Sequence, residues 1–590
     1  MKKLLIFLMI LAITVGTMAP GTFAEENRTA PAEERMIAVE FGDPGCAPVW
    51  TWEFPYSDEW FLQPDNVFNR EMAKGSIGLV VSAYKPLKKQ PGLTPQYEVY
   101  LSGAGFENIY TFGYDQVDSP NTFAGCIAQK KIGEFTIVAV AGRGSGYSKE
   151  WGGNLEIGTG TDHEGFRRGA DILKEELDRY LQKNPAEGQV CLWVVGYSRS
   201  SASGNLAAAE WTASGRFDRV YAYFFACPRV TTKPVKSGNI FNICGSQDFV
   251  TQVPMQCYGY ERNGTDLFLP SAETTCDYGR MKTAASETAR KLTGLALTNN
   301  PEFNLFFRMG ISLLSDIFQT REEYTNLMQE RLISAIPKND VEGMTAMLPG
   351  MIVSALGINL PEDRSVYISS VTQLLTRATL MTTLGLNDLI QAGIWDPETD
   401  TFVNLTREHL ISTYISWIFS ELPDEEILRE SSPGRILFLN QCTSLTLSRA
   451  GEVQWVLENG AVRKEREDVD GFVGRFNGTA VVMLPTDGDW QLTAESVDSV
   501  LRGIEIMLSP DKTFCDSCVC YLSDSAQEGA YEMTAHEKER LSDVGNVVRN
   551  AEAPCGAADL VVLIVIGFTP DAVRTMFDGA FGGTNGVEQP

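Results

Sequence analysis

The stretch Gly196-Tyr197-Ser198-Arg199-Ser200 sets a serine hydroxyl between a run of apolar residues and a run of small ones. A serine so placed can act as a nucleophile toward an acyl carbonyl, provided that a base lies within hydrogen-bond reach and a carboxylate holds that base in one tautomer. Histidine is scarce, so the base is sought among His163, His409 and His536 alone. Asp248, three residues beyond Gly245 in NIFNICGSQDFVTQVP, is the leading acid, with a turn-forming aspartate as its plain alternative. Asp266 and Asp277 are weaker candidates because neither follows a clear strand. For Ser198 itself the plain alternative is the N-cap of a serine-rich helix.

The elements around these residues decide between the readings. Val190 to Val195 is a continuous apolar run of strand length, and the Ala-rich stretch to Trp211 reads as a helix, so Ser198 stands at the apex of a strand, tight turn and helix. That is the nucleophile elbow of an α/β-hydrolase, in which the turn lifts the hydroxyl above the C-terminal edge of the sheet. Small residues are needed two before and two after the serine. Gly196 meets the first condition, and Ser200 departs from glycine at the second. Hydrolases of this fold run serine, acid, histidine along the chain, which selects His409. His163 precedes the serine, and His536 lies in a charged helix (AHEKERL) that suits a solvated surface.

Further strands are expected at Gln96 to Ser102, Phe135 to Ala141, Val220 to Ala226 and Ile240 to Cys244, and helices at Asn66 to Ala83 (burying Val67, Met72, Leu79 and Val80) and from Glu164 (Phe166, Ala170, Leu173, Leu177, Leu181). Strand and helix alternate, which predicts a mainly parallel sheet covered on both faces. The Gly142-to-Tyr147 turn after the second strand would offer backbone N–H groups at the ligand-binding edge, or be an ordinary loop. From 263 to 400 the pattern is helical and Met-rich, with helices around 284–297, 303–318, 322–336, 344–356 and 366–381; this predicts a cap inserted over the site, or methionines that merely fill a helical core. Residues 401–425 return to the catalytic-histidine segment, with a helix after His409 burying Leu410, Tyr414, Trp417 and Ile418. Beyond Pro433 the period becomes two, which predicts an all-β sandwich over 426–555 followed by a tail, 556–590.

Residues 1–24 read as a secretory signal peptide: Met1-Lys2-Lys3, an apolar run from Leu4 to Val15, and a Thr22-Phe23-Ala24 cleavage site. Residues 25–262 would then open the hydrolase core, and a secreted or extracytoplasmic location follows. A net charge of −27 argues against nucleic acid as a partner. The 12 cysteines leave disulfides open; Cys191, Cys227 and Cys244 fit small core residues instead. Cys515, Cys518, Cys520 and Cys555 lack the paired spacing of a zinc site, so no metal or cofactor is assigned.

Several motifs in one order resemble the class 3 (fungal-type) lipase family, particularly its exported bacterial members: VAVAGRGSGYSKEW, DHEGF opening a helix, GYSRS at the elbow, FFACPRV, D-x-V-x-x-x-P from Asp248, and REHLISTYISWI. The resemblance covers about 50–419 without the helical insertion. It implies that Ser198 attacks an ester, that His409 relays the proton, that Asp248 orients the imidazole, and that the N–H of Arg199 with Ser145 forms the oxyanion hole. Family elbows usually carry histidine and glycine where this chain has Tyr197 and Ser200. The leading expectation is thus a secreted hydrolase acting on an acyl ester or lipid. The alternatives are a related acyl substrate, or a hydrolase-like scaffold in a cell-surface binding protein whose β domain contacts a surface or glycan.

Overall fold

A computed structural model describes residues 35–297 with breaks at 43–48, 85–94, 117–118, 145–149, 246–247 and 270–277, then residue 322, the pairs 395–396 and 401–402, residues 409–424, and the strands of 434–550 with several of their turns. The signal-peptide stretch, Ser145, Asp277, Cys515, His536, Cys555, the helices expected between 303 and 381 and the tail from 556 lie outside the described residues.

Seven strands form one sheet in the order β3 (Glu107–Phe112), β4 (Gly125–Ile132), β5 (Phe135–Gly142), β6 (Gln189–Tyr197), β7 (Arg219–Phe225), β8 (Ile240–Gly245) and β9 (Thr265–Leu269). The first two pairings are antiparallel and those from β5 to β9 are parallel. The sheet with its helices is the expected mixed, mainly parallel α/β arrangement. Strand β6, fourth of the seven, is buried from Cys191 to Tyr197 because helices cover both its faces.

Alternation of side chains along β6 feeds two cores. Trp193, Val195 and Tyr197 pack on one face with α1 (Arg70–Tyr84), α6 (Tyr278–Thr293) and α7 (Ile411–Ile418), contributing among others Ile77, Met281 and Ile415. Leu192 and Val194 pack on the other with α4 (Glu164–Lys183) and α5 (Arg199–Ser214), which supply Phe166, Ala170, Leu173, Leu177 and Leu206. Each of these larger side chains contributes roughly 2 kcal/mol by leaving water. The hairpin of β1 (Arg35–Phe41) with β2 (Trp50–Tyr56) joins the first of these cores through Ile37, Val39, Phe41, Phe54 and Tyr56.

Four expectations are corrected. Residues 96–102 form helix α2 (Gln96–Gly103), not a strand: Tyr97, Tyr100 and Leu101 are buried at helical spacing, which outweighs their β propensity. Helix α1 starts at Arg70, where the Asn69 side chain accepts from Met72 N at 3.0 Å, and Val67 ahead of it is 58% exposed. Strand β9 extends the parallel sheet beyond 263, so an insertion cannot begin there. Within the stretch expected to be helical, Trp395–Asp396 (β10) pairs with Thr401–Phe402 (β11). Helix α3 is the short Glu150–Leu155 turn beside the elbow.

Among the described residues past 434 the chain makes two six-stranded antiparallel sheets: one in the order β16 (Phe472–Phe476), β17 (Thr479–Pro485), β12 (Gly434–Asn440), β19 (Arg502–Leu508), β20 (Cys518–Ser523), β23 (Val547–Asn550), the other in the order β15 (Ala461–Lys464), β14 (Glu452–Glu458), β13 (Cys442–Arg449), β18 (Trp490–Ser496), β21 (Tyr531–Ala535), β22 (Ser542–Asp543). Leu437, Leu439 and Val482 of one sheet share a core with Leu445, Leu457 and Leu492 of the other, which makes the pair a sandwich. Arg435 on β12 (Gly434–Asn440) and Glu505 on β19 (Arg502–Leu508) form an ion pair at 2.9 Å with both side chains 0% exposed. Cys518 and Cys520 lie on β20 (Cys518–Ser523).

Candidate active site

Ser198 stands between the last residue of β6 and the first of α5 with φ 56° and ψ −124°. A non-glycine residue held there stores on the order of 1–3 kcal/mol of strain and needs surroundings that leave it no alternative. Ser198 N donates to Phe225 O at 3.0 Å, and Ser198 O accepts from Ala202 N at 3.1 Å and Ser201 Oγ at 2.6 Å. Gly196 is required by close approach: a Cβ there would meet the Ser200 carbonyl carbon and oxygen and Ser201 N at 2.7 Å, all backbone. At Ser200 the departure from glycine is absorbed. Its Oγ accepts from Tyr197 N at 2.9 Å and lies 2.9 Å from Gly142 O, and the absence of a Cβ at Gly142 makes the room, since one there would stand 2.7 Å from Ser200 Cβ.

The three residues singled out for chemistry meet. His409 Nε2 lies 2.9 Å from Ser198 Oγ, and His409 Nδ1 lies 2.7 Å from Asp248 Oδ2. Ser198 comes from the end of β6, Asp248 from the turn after β8, and His409 from the segment two residues ahead of α7. With the aspartate ionised, Nδ1 carries the ring proton toward it and Nε2 is left to accept from the serine hydroxyl. Asp248 is fully buried, and the His409 side chain is 12% exposed, so the acid is shielded while the base keeps an opening to solvent.

Asp248 is held on every side. Its Oδ1 accepts from Val250 N at 2.9 Å, while Oδ2 accepts from the hydroxyl of Tyr414 at 2.8 Å as well as from His409. The Tyr414 oxygen in turn accepts from Gly245 N at 2.6 Å. Burial, with the neighbouring carboxylate second, pushes the Tyr414 hydroxyl well above its ordinary range, so it stays a donor at neutral pH. Helix α7 is docked from its far end by Arg70, which donates to Ile418 O at 3.0 Å and Ser420 O at 2.6 Å and pairs with Asp424 at 3.1 Å.

Arg199, expected to offer its backbone N–H, opens the first turn of a 16-residue helix, where N–H groups lack intrahelical partners. Its side chain turns away and is buried, donating to Glu150 O at 3.0 Å, Asn154 Oδ1 at 2.8 Å and Pro120 O at 2.8 Å. Burial brings this guanidinium down to about 10, so it is charged at neutral pH. Arg143 and Glu150, paired at 2.6 Å and nearly inaccessible, join the end of β5 to α3 beside it.

The remaining candidates serve the framework. His163 caps α4: its Nδ1 accepts from Phe166 N, its Nε2 lies 3.0 Å from Asn154 O, and its ring stacks on Phe166. Asp266 pairs with Arg262 at 2.6 Å, and Arg262 donates to Cys227 O and to Thr251 O in the turn that carries Asp248. Cys191, Cys227 and Cys244 are buried free thiols, as their apolar surroundings predict. Sequence reasoning missed the two tyrosines that contact the trio. Tyr414 was visible only as a buried helix position, and Tyr197 only as a departure beside the serine.

No protein-family model and no curated protein matches the chain. Among solved structures it is similar to a mutant form of MDLA from Penicillium cyclopium, at 21% identity over 34% of this chain and 81% of that one, with a TM-score of 0.25. It is similar also to a fungal lipase in complex with an inhibitor, at 16% identity over 34% and 80%, TM-score 0.25. A propeptide complex of Rhizomucor miehei lipase matches at 14% identity over 43% and 82%, again with a TM-score of 0.25. Likeness of this strength says nothing of activity, which rests on the side chains.

Proposed function

We propose that this chain is a serine hydrolase of the α/β-hydrolase type that cleaves carboxylic esters, of acyl-lipid kind, through an acyl-enzyme. The observation that carries the reading is the series of contacts Ser198 Oγ, His409 Nε2, His409 Nδ1, Asp248 Oδ2 at 2.9 and 2.7 Å, at the C-terminal edge of a parallel sheet. In this mechanism Ser198 Oγ bonds to the ester carbonyl carbon as its proton passes to His409 Nε2. The carbonyl oxygen becomes an oxyanion, which the N–H of Arg199 and a donor at Ser145 receive. Collapse breaks the carbon–alkoxy bond, and the leaving alcohol takes the proton from His409. Water, deprotonated by the same nitrogen, then attacks the acyl-serine, releasing the acid and restoring the hydroxyl.

The burial of Asp248 keeps its charge undiluted by solvent, where it steadies the imidazolium that forms transiently. Ser200 at the elbow is the feature that would favour a non-catalytic scaffold, and its hydroxyl is satisfied by Tyr197 N and Gly142 O rather than set against the nucleophile. Export through residues 1–24, a cap in the insertion beyond the core residues of α6 and Leu297, and a surface or glycan contact through the sandwich belong to the same proposal.

The test is labelling by a fluorophosphonate with mass-spectrometric mapping, together with hydrolysis of p-nitrophenyl esters of increasing acyl length. Wild type is expected to be labelled at Ser198, and Ser198→Ala to lose both labelling and hydrolysis. Undiminished hydrolysis by that variant would overturn the reading.

A further inference from the structure

We propose that Tyr197 is a positioning residue that sets where the imidazole of His409 stands over Ser198; the proposal rests on the serine-hydrolase reading. His409 precedes α7 by two residues, and Thr413 N and Tyr414 N, in the first turn of that helix, both donate to Leu410 O, one residue beyond His409. The carbonyl of His409 accepts instead from the Tyr197 hydroxyl at 2.6 Å. Tyr197 is the last residue of β6 and adjoins the nucleophile, so one phenol ties the peptide of the base to the strand that presents the serine. Its ring is buried, 5.4 Å from the imidazole and 5.5 Å, edge to face, from Tyr414, a setting that leaves the hydroxyl little freedom.

Two contacts orient the ring of His409, and the third anchors the backbone from which it hangs. The contact to Ser198 Oγ exists only while the serine is free. Once that oxygen is bonded to an acyl group, the imidazole must still deliver its proton to the leaving alcohol and later take one from water. Through those steps Asp248 and Tyr197 are the partners that remain. A hydrogen bond to a main-chain oxygen outside the reacting atoms is unchanged by proton transfer, which suits it to hold the base at constant position through both halves of the cycle.

Tyr197→Phe removes one oxygen and keeps the ring. In the full chain, kcat for a p-nitrophenyl ester is expected to fall about tenfold with KM changed by no more than about twofold, the size of one lost hydrogen bond acting in the transition state. Three histidines in the chain make the imidazole resonances tractable by selective nitrogen labelling. The Nδ1–H resonance of His409 is expected to shift or broaden in the variant while the Nε2–H resonance of His163, whose Nδ1 is an acceptor, stays in place. Replacement of Tyr197 by 4-aminophenylalanine, which restores a donor at the same point, is expected to recover kcat. An unchanged kcat, a fall in kcat without movement of the His409 resonance, or no recovery with the restored donor would each overturn the proposal. Should wild type neither hydrolyse esters nor take the label, the hydrolase reading fails, and the resonance comparison still reads the tether on its own.

Discussion

The hydroxyl of Tyr414 donates to Asp248 Oδ2 at 2.8 Å, on the same oxygen that faces His409 Nδ1 at 2.7 Å. The acid therefore shares one oxygen between the base and a phenol from the helix that follows the base. Tyr414→Phe leaves Oδ2 with one donor fewer and strips Gly245 N of its acceptor. The expected outcome is a loss of about 1–3 kcal/mol in stability from the unpaired buried groups, with a lower kcat/KM. Denaturant unfolding and ester kinetics on the same preparation check both.

Alkaline pH should unfold this chain through its buried tyrosines. Burial pushes the hydroxyls of Tyr56, Tyr100, Tyr180, Tyr223 and Tyr414 well above their ordinary range. Each stays neutral when folded and ionises near pH 10 when unfolded, so its contribution is complete below about pH 10 and declines as pH climbs toward the folded-state value. Melting temperature is expected to drop steeply above pH 10, and these phenols to ionise, followed by absorbance near 295 nm, only together with loss of the fold. Smooth titration of all tyrosines in a still-folded chain would contradict this.

Ser200→Gly brings the elbow to the glycine usual in the family that the chain resembles, and no gain in activity is expected from it. The substitution removes the acceptor of Tyr197 N and the donor to Gly142 O and adds a flexible residue to the first turn of α5. A stability loss of about 1–3 kcal/mol is expected, with unchanged or lower kcat. A several-fold rise in kcat would mean that Ser200 restrains the nucleophile after all.

The sandwich holds a charge pair where apolar packing would serve. Neutralising one partner, by Arg435→Met or Glu505→Gln, leaves the other buried charge without this counter-ion and is expected to cost about 3–5 kcal/mol. Replacing both, Arg435→Met with Glu505→Leu, should recover most of that loss. Thermal unfolding of the two single variants and the double variant gives the comparison; equal and additive losses would show that the pair is not coupled.

Much of the chemistry was legible because it rests on local pattern and scarcity. An apolar strand, a glycine and a small-residue helix bracket Ser198, three histidines leave few bases to weigh, and Asp248 follows a strand end. What stayed hidden depends on tertiary rotation. Whether Tyr414 reaches the acid is decided by the angle at which α7 lies on the sheet, which no spacing reports. Strand β9 went unread because Thr265–Leu269 is short, carries an aspartate, and becomes a strand only by pairing with β8. Residues 96–102 read as a strand for the opposite reason: two tyrosines and a valine suggest one in isolation, and the packing of Tyr97, Tyr100 and Leu101 into the core shared with β1 and α1 selects the helix.

The hydroxyl and its base are 211 positions apart along the polymer, and the acid and base 161. A growing or truncated polypeptide that stops short of His409 holds the nucleophile and the carboxylate yet has nothing to take up the proton. Contacts of such range close late. On the proposed mechanism reactivity is thereby deferred until the last helix of the core has docked, and an unfinished copy would be chemically silent toward whatever surrounds it.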